Sequence, residues 1–256
     1  MNGKIIRAII CGLVLVASVW VIGQAMTDTK SDAQKAIESY EQAIHVNPND
    51  DEAYFLMGNA YYELGDKHKA IDCFKKVISI EPNAVGAYYN MGTVYSDLGD
   101  NHKAIECYEN AISIDPNYAD AYNNMGTVYS DLGDKHKAID CFKKVISIEP
   151  NDAAAYINMG NAYTALGDNQ KAIGCFEKSI SIEPNNAVAY YNMGSVYIAL
   201  GDKYKAIECW KKTISLDSNY ASAYWNMGVA YKSLGNIKKA DECFEKACSL
   251  DPSYRN

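Results

Sequence analysis

Residues 64–83 read LGDKHKAIDCFKKVISIEPN, and residues 132–151 repeat the same sequence without a change. The second copy begins 68 residues after the first, which is twice a period of 34 residues. The prolines follow this period, and all six fall in one phase: Pro48, Pro82, Pro116, Pro150, Pro184 and Pro252. A fixed period of this length indicates a repeat array, in which each unit packs only on its neighbours. The 256-residue chain is therefore predicted to be one unit copied along its length.

Six full repeats are counted from Asp51 as position 1, and their bounds are 51–84, 85–118, 119–152, 153–186, 187–220 and 221–254. A partial repeat at 32–50 matches the second half of the unit. Apolar or small residues recur at positions 4, 7, 8 and 11, and again at 20, 21, 24, 27 and 28. That spacing is typical of two amphipathic helices, helix A over about positions 2–14 and helix B over about 17–30. The predicted fold class is all-α.

The residues between and after the helices support this division. Gly65 suits the left-handed position that follows a helix, and Asp66 suits the N-cap of the next one. The first repeat carries the recurring residues Tyr54, Gly58, Tyr61, Gly65, Ala70, Phe74 and Pro82. This pattern resembles the signature of the tetratricopeptide repeat family over 51–254, although Tyr54 stands where the family usually has Trp. The resemblance implies a right-handed superhelical solenoid of helix-turn-helix repeats, with A helices lining a concave groove and B helices outside.

The N-terminal segment 1–26 is strongly apolar. Its stretch Ala8–Gly23 has no charged residue, and Lys4 and Arg7 precede it. This pattern fits either a cleaved secretory signal or an uncleaved anchor that spans the membrane, with Trp20 at an interface. A buried helix of the array is a third interpretation. Either of the first two predicts a protein that is membrane-anchored with its repeats outside the cytoplasm, or secreted or periplasmic after signal cleavage.

Charge excludes one class of partner. Segment 1–26 contains two basic residues and no acidic ones. The rest of the chain therefore has a net charge of −10. Phosphate contacts need clustered Lys and Arg, so we expect no nucleic acid partner. Among the predicted groove positions 2, 5, 9, 12 and 13, Lys232 is the only basic residue, whereas Glu52, Glu63 and Asp97 are acidic. The sequence therefore favours a neutral to basic protein or peptide.

Cysteine and histidine also follow the repeat. Six cysteines share position 23: Cys73, Cys107, Cys141, Cys175, Cys209 and Cys243. Helix layers of about 8–10 Å place neighbouring copies beyond the Cα distance of about 7 Å that a disulfide allows, so free, semi-buried thiols are predicted. His68, His102 and His136 share position 18 in the first turn of helix B, where they do not converge as metal ligands must. No cofactor, metal site or catalytic constellation is predicted.

Asparagine marks the predicted groove. Position 6 is asparagine in five repeats, and we call this set the asparagine ladder: Asn90, Asn124, Asn158, Asn192 and Asn226. An amide offers one acceptor and two N–H donors, so it can bond a peptide backbone without reading its side chains. The ladder is similar to that of the tetratricopeptide superhelix in O-linked N-acetylglucosamine transferase, whose catalytic domain this sequence lacks. The alternative is that these amides bridge neighbouring helices.

Other predicted groove residues lie at positions 5 and 9. They are Phe55, Asn59, Tyr89, Asn123, Asn161, Tyr191 and Trp225. Aromatic anchors interleaved with amides suit peptide recognition, whereas ring packing between repeats is the alternative. The sequence thus predicts a non-catalytic protein-interaction scaffold that binds an extended or helical peptide segment. A self-assembling structural module and the substrate-recruiting arm of a separately encoded glycosyltransferase are the other hypotheses.

Overall fold

The computed structural model describes residues 32–255, and it shows the predicted all-α fold. Thirteen α-helices and a final 3₁₀ turn occupy this range, with no strand among the described residues. The helices are α1 (32–46), α2 (Asp51–Glu63), α3 (Lys67–Ile80), α4 (Val85–Asp97), α5 (Asn101–Ile114), α6 (Ala119–Asp131), α7 (Lys135–Ile148), α8 (Ala153–Ala165), α9 (Asn169–Ile182), α10 (Ala187–Ala199), α11 (Lys203–Leu216), α12 (Ala221–Ser233) and α13 (Ile237–Leu250). From α2 on, even-numbered helices are A helices and odd-numbered ones are B helices. The A helices begin at position 1, one residue earlier than predicted.

Each turn between helices A and B has the same hydrogen bonds. Gly65 adopts φ +82°, a left-handed conformation that favours glycine. Its N–H donates to the carbonyl of Tyr62, and the N–H of Asp66 donates to the carbonyl of Tyr61. These are the two bonds of a Schellman motif. The Asp66 side chain then accepts from the backbone N–H of Lys69, so one residue closes α2 and caps α3.

The two helices of a repeat touch at position 8. A Cβ added to Gly58 would lie 2.8 Å from Cε1 of the Phe74 ring, which is closer than real Cβ contacts come. The same clash, at 2.6–2.8 Å from the ring at position 24, recurs in all six repeats. Glycine at position 8 therefore lets helix A rest directly on a ring of helix B. Phe74 is 1% exposed, so the contact forms the core of the pair.

The helices form two compact units. Unit 1 ends at Pro116 and contains α1–α5, and unit 2 begins at Asn117 and contains α6–α13. In unit 1, α1 covers the first full repeat, because Ile37 is 1% exposed and packs with Met57 and Cys73. In unit 2, the buried residues of each repeat continue into the A helix of the next, as Ile173 does with Ala189. Both units thus have the stacked helix pairs expected of a solenoid.

The C-terminal end differs from the expectation. Asp241 and Cys248 replace the isoleucines at positions 21 and 28 of the other five repeats, and this change alone predicts a polar cap without further covering. Instead Tyr254, in the 3₁₀ turn Pro252–Arg255, packs against Trp225 with ring centroids 5.1 Å apart. Its hydroxyl shares a hydrogen bond of 2.8 Å with the Ser222 hydroxyl. The chain therefore covers part of its last repeat with an aromatic side chain.

No helix within residues 32–255 is both long enough and apolar enough to span a bilayer. The apolar segment 1–26 lies outside the described residues. Signal peptide and anchor therefore both remain predictions.

Candidate peptide-binding face

The asparagine ladder lies on the surface that the A helices form within each unit, which we call the helix-A face of that unit. Four of its amides donate an N–H to the preceding repeat: Asn90 to Asn59 Oδ1 (2.8 Å), Asn158 to Asn123 Oδ1 (3.2 Å), Asn192 to Asn161 Oδ1 (2.9 Å) and Asn226 to the Tyr191 hydroxyl (3.0 Å). The acceptors are themselves residues of the predicted groove. The ladder therefore bridges neighbouring repeats, as one of the two sequence hypotheses holds.

Bridging uses only part of each amide. Every asparagine side chain has two N–H hydrogens and a carbonyl oxygen. Between residues 32 and 255, these four side chains make no polar contact with protein beyond the bond that each donates. All four are half-buried. One N–H and the Oδ1 atom of each thus have no hydrogen-bond partner within residues 32–255. Asn124 is half-buried as well and has an interaction of its own.

The aromatic side chains at position 5 pack within their own repeat. Phe55 lies 5.8 Å from Phe74, and Trp225 lies 4.8 Å from Phe244, between ring centroids. Tyr89 makes the same contact with the ring at position 24, at 6.0 Å. These rings are half-buried, so each one supports helix B on one side and has part of its surface exposed. Packing between repeats occurs as well, because a Cβ added to Gly86 of the next repeat would lie 3.4 Å from the Phe55 ring.

Neighbouring A helices leave a notch on the helix-A face of each unit. The first notch, between repeats 1 and 2, is lined by Asn59, Tyr62, Glu63, Phe74, Asn90, Thr93 and Val94. Its wall includes the charged residue Glu63 and the ladder residue Asn90. The last notch, between repeats 5 and 6, is lined by Ser195, Ile198, Lys203, Trp210, Asn226, Val229, Ala230 and Ser233. Both notches thus combine ladder amides with the ring at position 24.

Beside the first notch, three side chains of neighbouring repeats are joined. The Tyr62 hydroxyl donates to Asp97 Oδ2 at 2.7 Å. The Lys67 ammonium donates to the Asp97 backbone carbonyl at 2.9 Å and lies 3.7 Å from its carboxylate. The hydrogen bond to Asp97, with burial and the carboxylate charge, raises the pKa of Tyr62 to about 12. The charges of Lys67 and Asp97 offset each other, which leaves Glu63 to give the notch a negative charge.

The last notch is apolar and has a different charge. Trp210 is 2% exposed at its base, and its indole N–H donates to the carbonyl of Tyr191. Ile198 and Val229 stand at its rim and are 40% and 50% exposed. Lys203 is its charged lining residue. Lys203 and Trp210 were not among the predicted groove residues, because both belong to helix B and the predicted groove positions lie on helix A only.

Lysines at position 19 are held on the other side of the turn. The Lys69 ammonium lies 4.9 Å from the centroid of the Tyr61 ring and 3.2 Å from the Asp66 carboxylate. The lysine and tyrosine pair recurs in all six repeats, at 4.9–5.4 Å. The Lys69 backbone N–H, with its ammonium, holds the pKa of the Asp66 carboxyl below its usual range. These contacts hold each position-19 lysine against the turn of its own repeat.

The cysteines of position 23 are free and buried. Burial raises the pKa of the Cys73 thiol to about 11 and that of Cys107 to about 12. A thiolate is the reactive form, so these cysteines act as small apolar core residues. The histidines of position 18 are exposed. Among the described residues, no three His, Cys, Asp or Glu side chains are arranged to hold a metal ion.

Family models match most of the repeats. A model described as "TPR repeat" matches residues 30–65, 58–99, 92–133, 160–201 and 194–235. Models described as "Tetratricopeptide repeat" match 119–152, 141–174 and 221–254. Two of the spans, 119–152 and 221–254, coincide with the third and sixth repeats. No curated protein is significantly similar in sequence to this chain.

Several solved structures are similar. The crystal structure of MamA is 32% identical, with a TM-score of 0.60, over 64% of this chain and 95% of that one. A TPR repeat-containing protein of Cytophaga hutchinsonii, solved as its C-terminal part, is 21% identical with a TM-score of 0.74, over 86% and 91%. YrrB, described as "a TPR protein with an unusual peptide-binding site", is 23% identical with a TM-score of 0.58, over 71% and 94%. The last two likenesses concern the fold.

Proposed function

Because the chain belongs to the tetratricopeptide repeat family, whose repeats are generally non-catalytic interaction modules, we propose that it is a scaffold that binds a peptide segment on its helix-A face. The observation that carries this proposal is the state of the ladder. Asn158 and Asn192 each use one N–H on the preceding repeat and keep one N–H and one Oδ1 atom for a ligand. The unused atoms repeat along the face, as the backbone of an extended peptide does.

The bridging bonds contribute to peptide capture. Because Asn123 and Asn161 accept from the ladder, the ladder amides are held in one orientation before a ligand arrives. Preorganised groups lose less conformational entropy on binding than free ones. Water also competes less for the hydrogen bonds of half-buried amides than for those of exposed ones. Structural bridging and ligand binding are therefore two uses of one side chain, and YrrB shows that the fold accommodates a peptide-binding site.

The preferred partner of unit 1 is neutral to basic. Glu52 and Glu63 are exposed on α2, and Glu63 lines the first notch. Lys67 offers no net positive charge there, since Asp97 pairs with it. A basic side chain of a bound peptide would therefore meet a favourable potential, and an acidic one would be repelled.

The location of the protein follows from segment 1–26. We propose that it anchors the chain to a membrane with the repeats outside the cytoplasm, or directs export and is removed. Protease added to intact cells or spheroplasts then degrades the repeats. A chain that is degraded only after lysis would contradict this orientation.

An array of immobilised random 12-residue peptides tests peptide capture. The purified protein is compared with its Asn158→Ala/Asn192→Ala variant. Backbone capture predicts weaker binding to nearly all bound peptides, whatever their side chains, by roughly tenfold if each amide contributes about 0.5–1.5 kcal/mol. Asn110→Ala, at an exposed position of α5, is the matched control and leaves binding unchanged.

Helicity and thermal unfolding of the same variants separate the two roles of the ladder. The double variant is expected to remain helical and to lose a small part of its stability, because two bridging bonds are removed. Unchanged peptide binding with a lower melting temperature would show that the ladder is structural only. If the array binds nothing while light scattering shows assembly that depends on Asn158 and Asn192, the face receives another copy of the chain instead.

A further inference from the structure

We propose that the last notch selects an apolar side chain that has a carboxylate close to it in the bound peptide. This inference rests on the proposed function and adds a specificity to one place on the helix-A face. It involves repeats 5 and 6 only, which both belong to unit 2. It also reverses, at this place, the neutral to basic preference of the first notch.

The shape and lining of the last notch fit one apolar side chain. The notch has a volume of about 350 Å³, near the lower end of the range of about 300–1,000 Å³ seen in ligand pockets. The buried Trp210 ring forms its base, and Ile198 and Val229 stand exposed at its rim. Covering these half-exposed aliphatic side chains with an apolar ligand side chain would remove apolar surface from water and would favour binding. The Asn226 amide at the wall can hold the peptide backbone beside them.

Lys203 gives the last notch a positive charge, because it lacks the acidic partner that the equivalent lysine of the first repeat has. Lys67 and Lys203 both occupy position 17. Asp97, at position 13 of the next repeat, pairs with Lys67, whereas Ser233 stands at that position opposite Lys203. The Ser233 hydroxyl donates to the carbonyl of Ala230 within its own helix. Over the described residues 32–255, no carboxylate lies within 4 Å of the Lys203 ammonium.

An unpaired ammonium beside an apolar notch favours a carboxylate from outside. Lys203 is half-buried, so an incoming carboxylate is screened less there than on an open surface. The unpaired lysine also discourages a basic ligand residue at this place. The geometry therefore selects a peptide with Leu, Ile, Met or Phe within two positions of Asp or Glu.

The test uses the same array of immobilised 12-residue peptides, with acetylated and amidated ends so that Asp and Glu are the only carboxylates. Bound peptides are expected to be enriched in an apolar residue with Asp or Glu within two positions. The best of them is then compared with its Asn or Gln counterpart. The intact protein should prefer the acidic form by roughly three- to tenfold at low salt, and less at high salt.

Three variants identify the residue responsible. Lys203→Glu should invert the preference, and Ser233→Asp, which recreates the pairing of Lys67 with Asp97, should bring the ratio close to one. Lys246→Glu makes the same charge change at an exposed position of α13 and should keep the ratio. The Lys203 substitution is tolerated by the fold, because an acidic residue at the first position of a helix is favourable. Circular dichroism confirms helicity for each variant.

The outcomes separate this inference from the proposed function. Peptide binding without enrichment of acidic residues, or an acidic preference that survives Lys203→Glu, would overturn the inference and leave peptide capture standing. An array that binds no peptide at all would overturn both. An inverted preference in Lys203→Glu and a lost one in Ser233→Asp would establish it.

Discussion

The two copies of LGDKHKAIDCFKKVISIEPN, at 64–83 and 132–151, are identical in sequence but differ in their surface contacts. Their buried side chains match closely: Phe74 and Phe142 are 1% and 2% exposed. The contacts of their first helical residues, Lys67 and Lys135, differ. Lys67 donates across to Asp97 of the next repeat, whereas Lys135 donates to the carbonyl and hydroxyl of Ser130 in its own repeat.

The difference comes from neighbouring residues. Position 13 of the following repeat is Asp97 opposite Lys67 but Ala165 after the second copy. With no carboxylate to reach, Lys135 turns to the preceding helix. The comparison teaches that residues in the repeat phase determine the stack of helices. Residues that vary between repeats, such as position 13 of the next repeat, determine the contacts of the lysine at position 17.

Removal of the buried ring should have the same effect in both copies. Phe74→Ala and Phe142→Ala are each expected to lower the free energy of unfolding by about 3–5 kcal/mol, because each leaves a cavity between helices A and B. Urea denaturation followed by far-ultraviolet circular dichroism measures the loss. Lys144→Ala, on the exposed side of α7, is the control and should change it by less than about 0.5 kcal/mol. If only one of the two substitutions lowered the free energy of unfolding, the two cores would not be equivalent.

The turn glycines should come next in size and also behave alike. Gly65 and Gly133 have φ of +82° and +86°, and a methyl group added to either meets no atom within 4 Å. Gly65→Ala and Gly133→Ala should therefore each cost about 1–2 kcal/mol through backbone strain alone. Gly174→Ala, in the middle of α9 and equally free of contacts, should instead stabilise by about 0.5–1 kcal/mol. The same sign at all three positions would contradict this account of the turns.

The phenol of Tyr62 reports the contacts that only the first copy makes. Its pKa is raised to about 12, chiefly by the hydrogen bond to Asp97. The raised pKa contributes stability that is present below about pH 10 and is lost as pH rises towards 12. Ultraviolet titration of the protein and of Tyr62→Phe isolates this group. In Asp97→Asn its pKa should fall towards about 10, and a pKa that stays high would assign the shift to burial instead.

Most of the fold was predictable from the sequence because each structural element has a local signal. The recurring glycine, aspartate and proline specify where helices end and begin, and the 34-residue period repeats that signal six times. The start of the A helices was missed by one residue. Asp50 caps α2 with its side chain, but the side chain of Tyr118, the N-cap residue of α6, does not accept from the first turn of that helix, so the sequence contains no uniform signal.

The candidate face was predictable only in part. Position 6 was identified, but the partners of its amides were not, because a residue some 31–35 positions away must be placed in space first. Tyr254 was missed because its partner Ser222 is equally distant in sequence. Lys203 was not predicted, because its lack of an acidic partner becomes visible only when Ser233 of the next repeat is placed opposite it. The sequence therefore shows which residues recur, but it does not show which residues of neighbouring repeats contact each other.

The most direct test of this account is to give the second copy the neighbour of the first. A crystal structure of Ala165→Asp should show the Lys135 ammonium withdrawn from Ser130 and within about 4 Å of the new carboxylate, with α7 and α8 otherwise unmoved. Asp97→Ala is the reciprocal variant, in which Lys67 should turn to the carbonyl of Tyr62. If Lys135 stayed on Ser130 beside the new carboxylate, the next repeat would not control these contacts, and the central claim would be wrong.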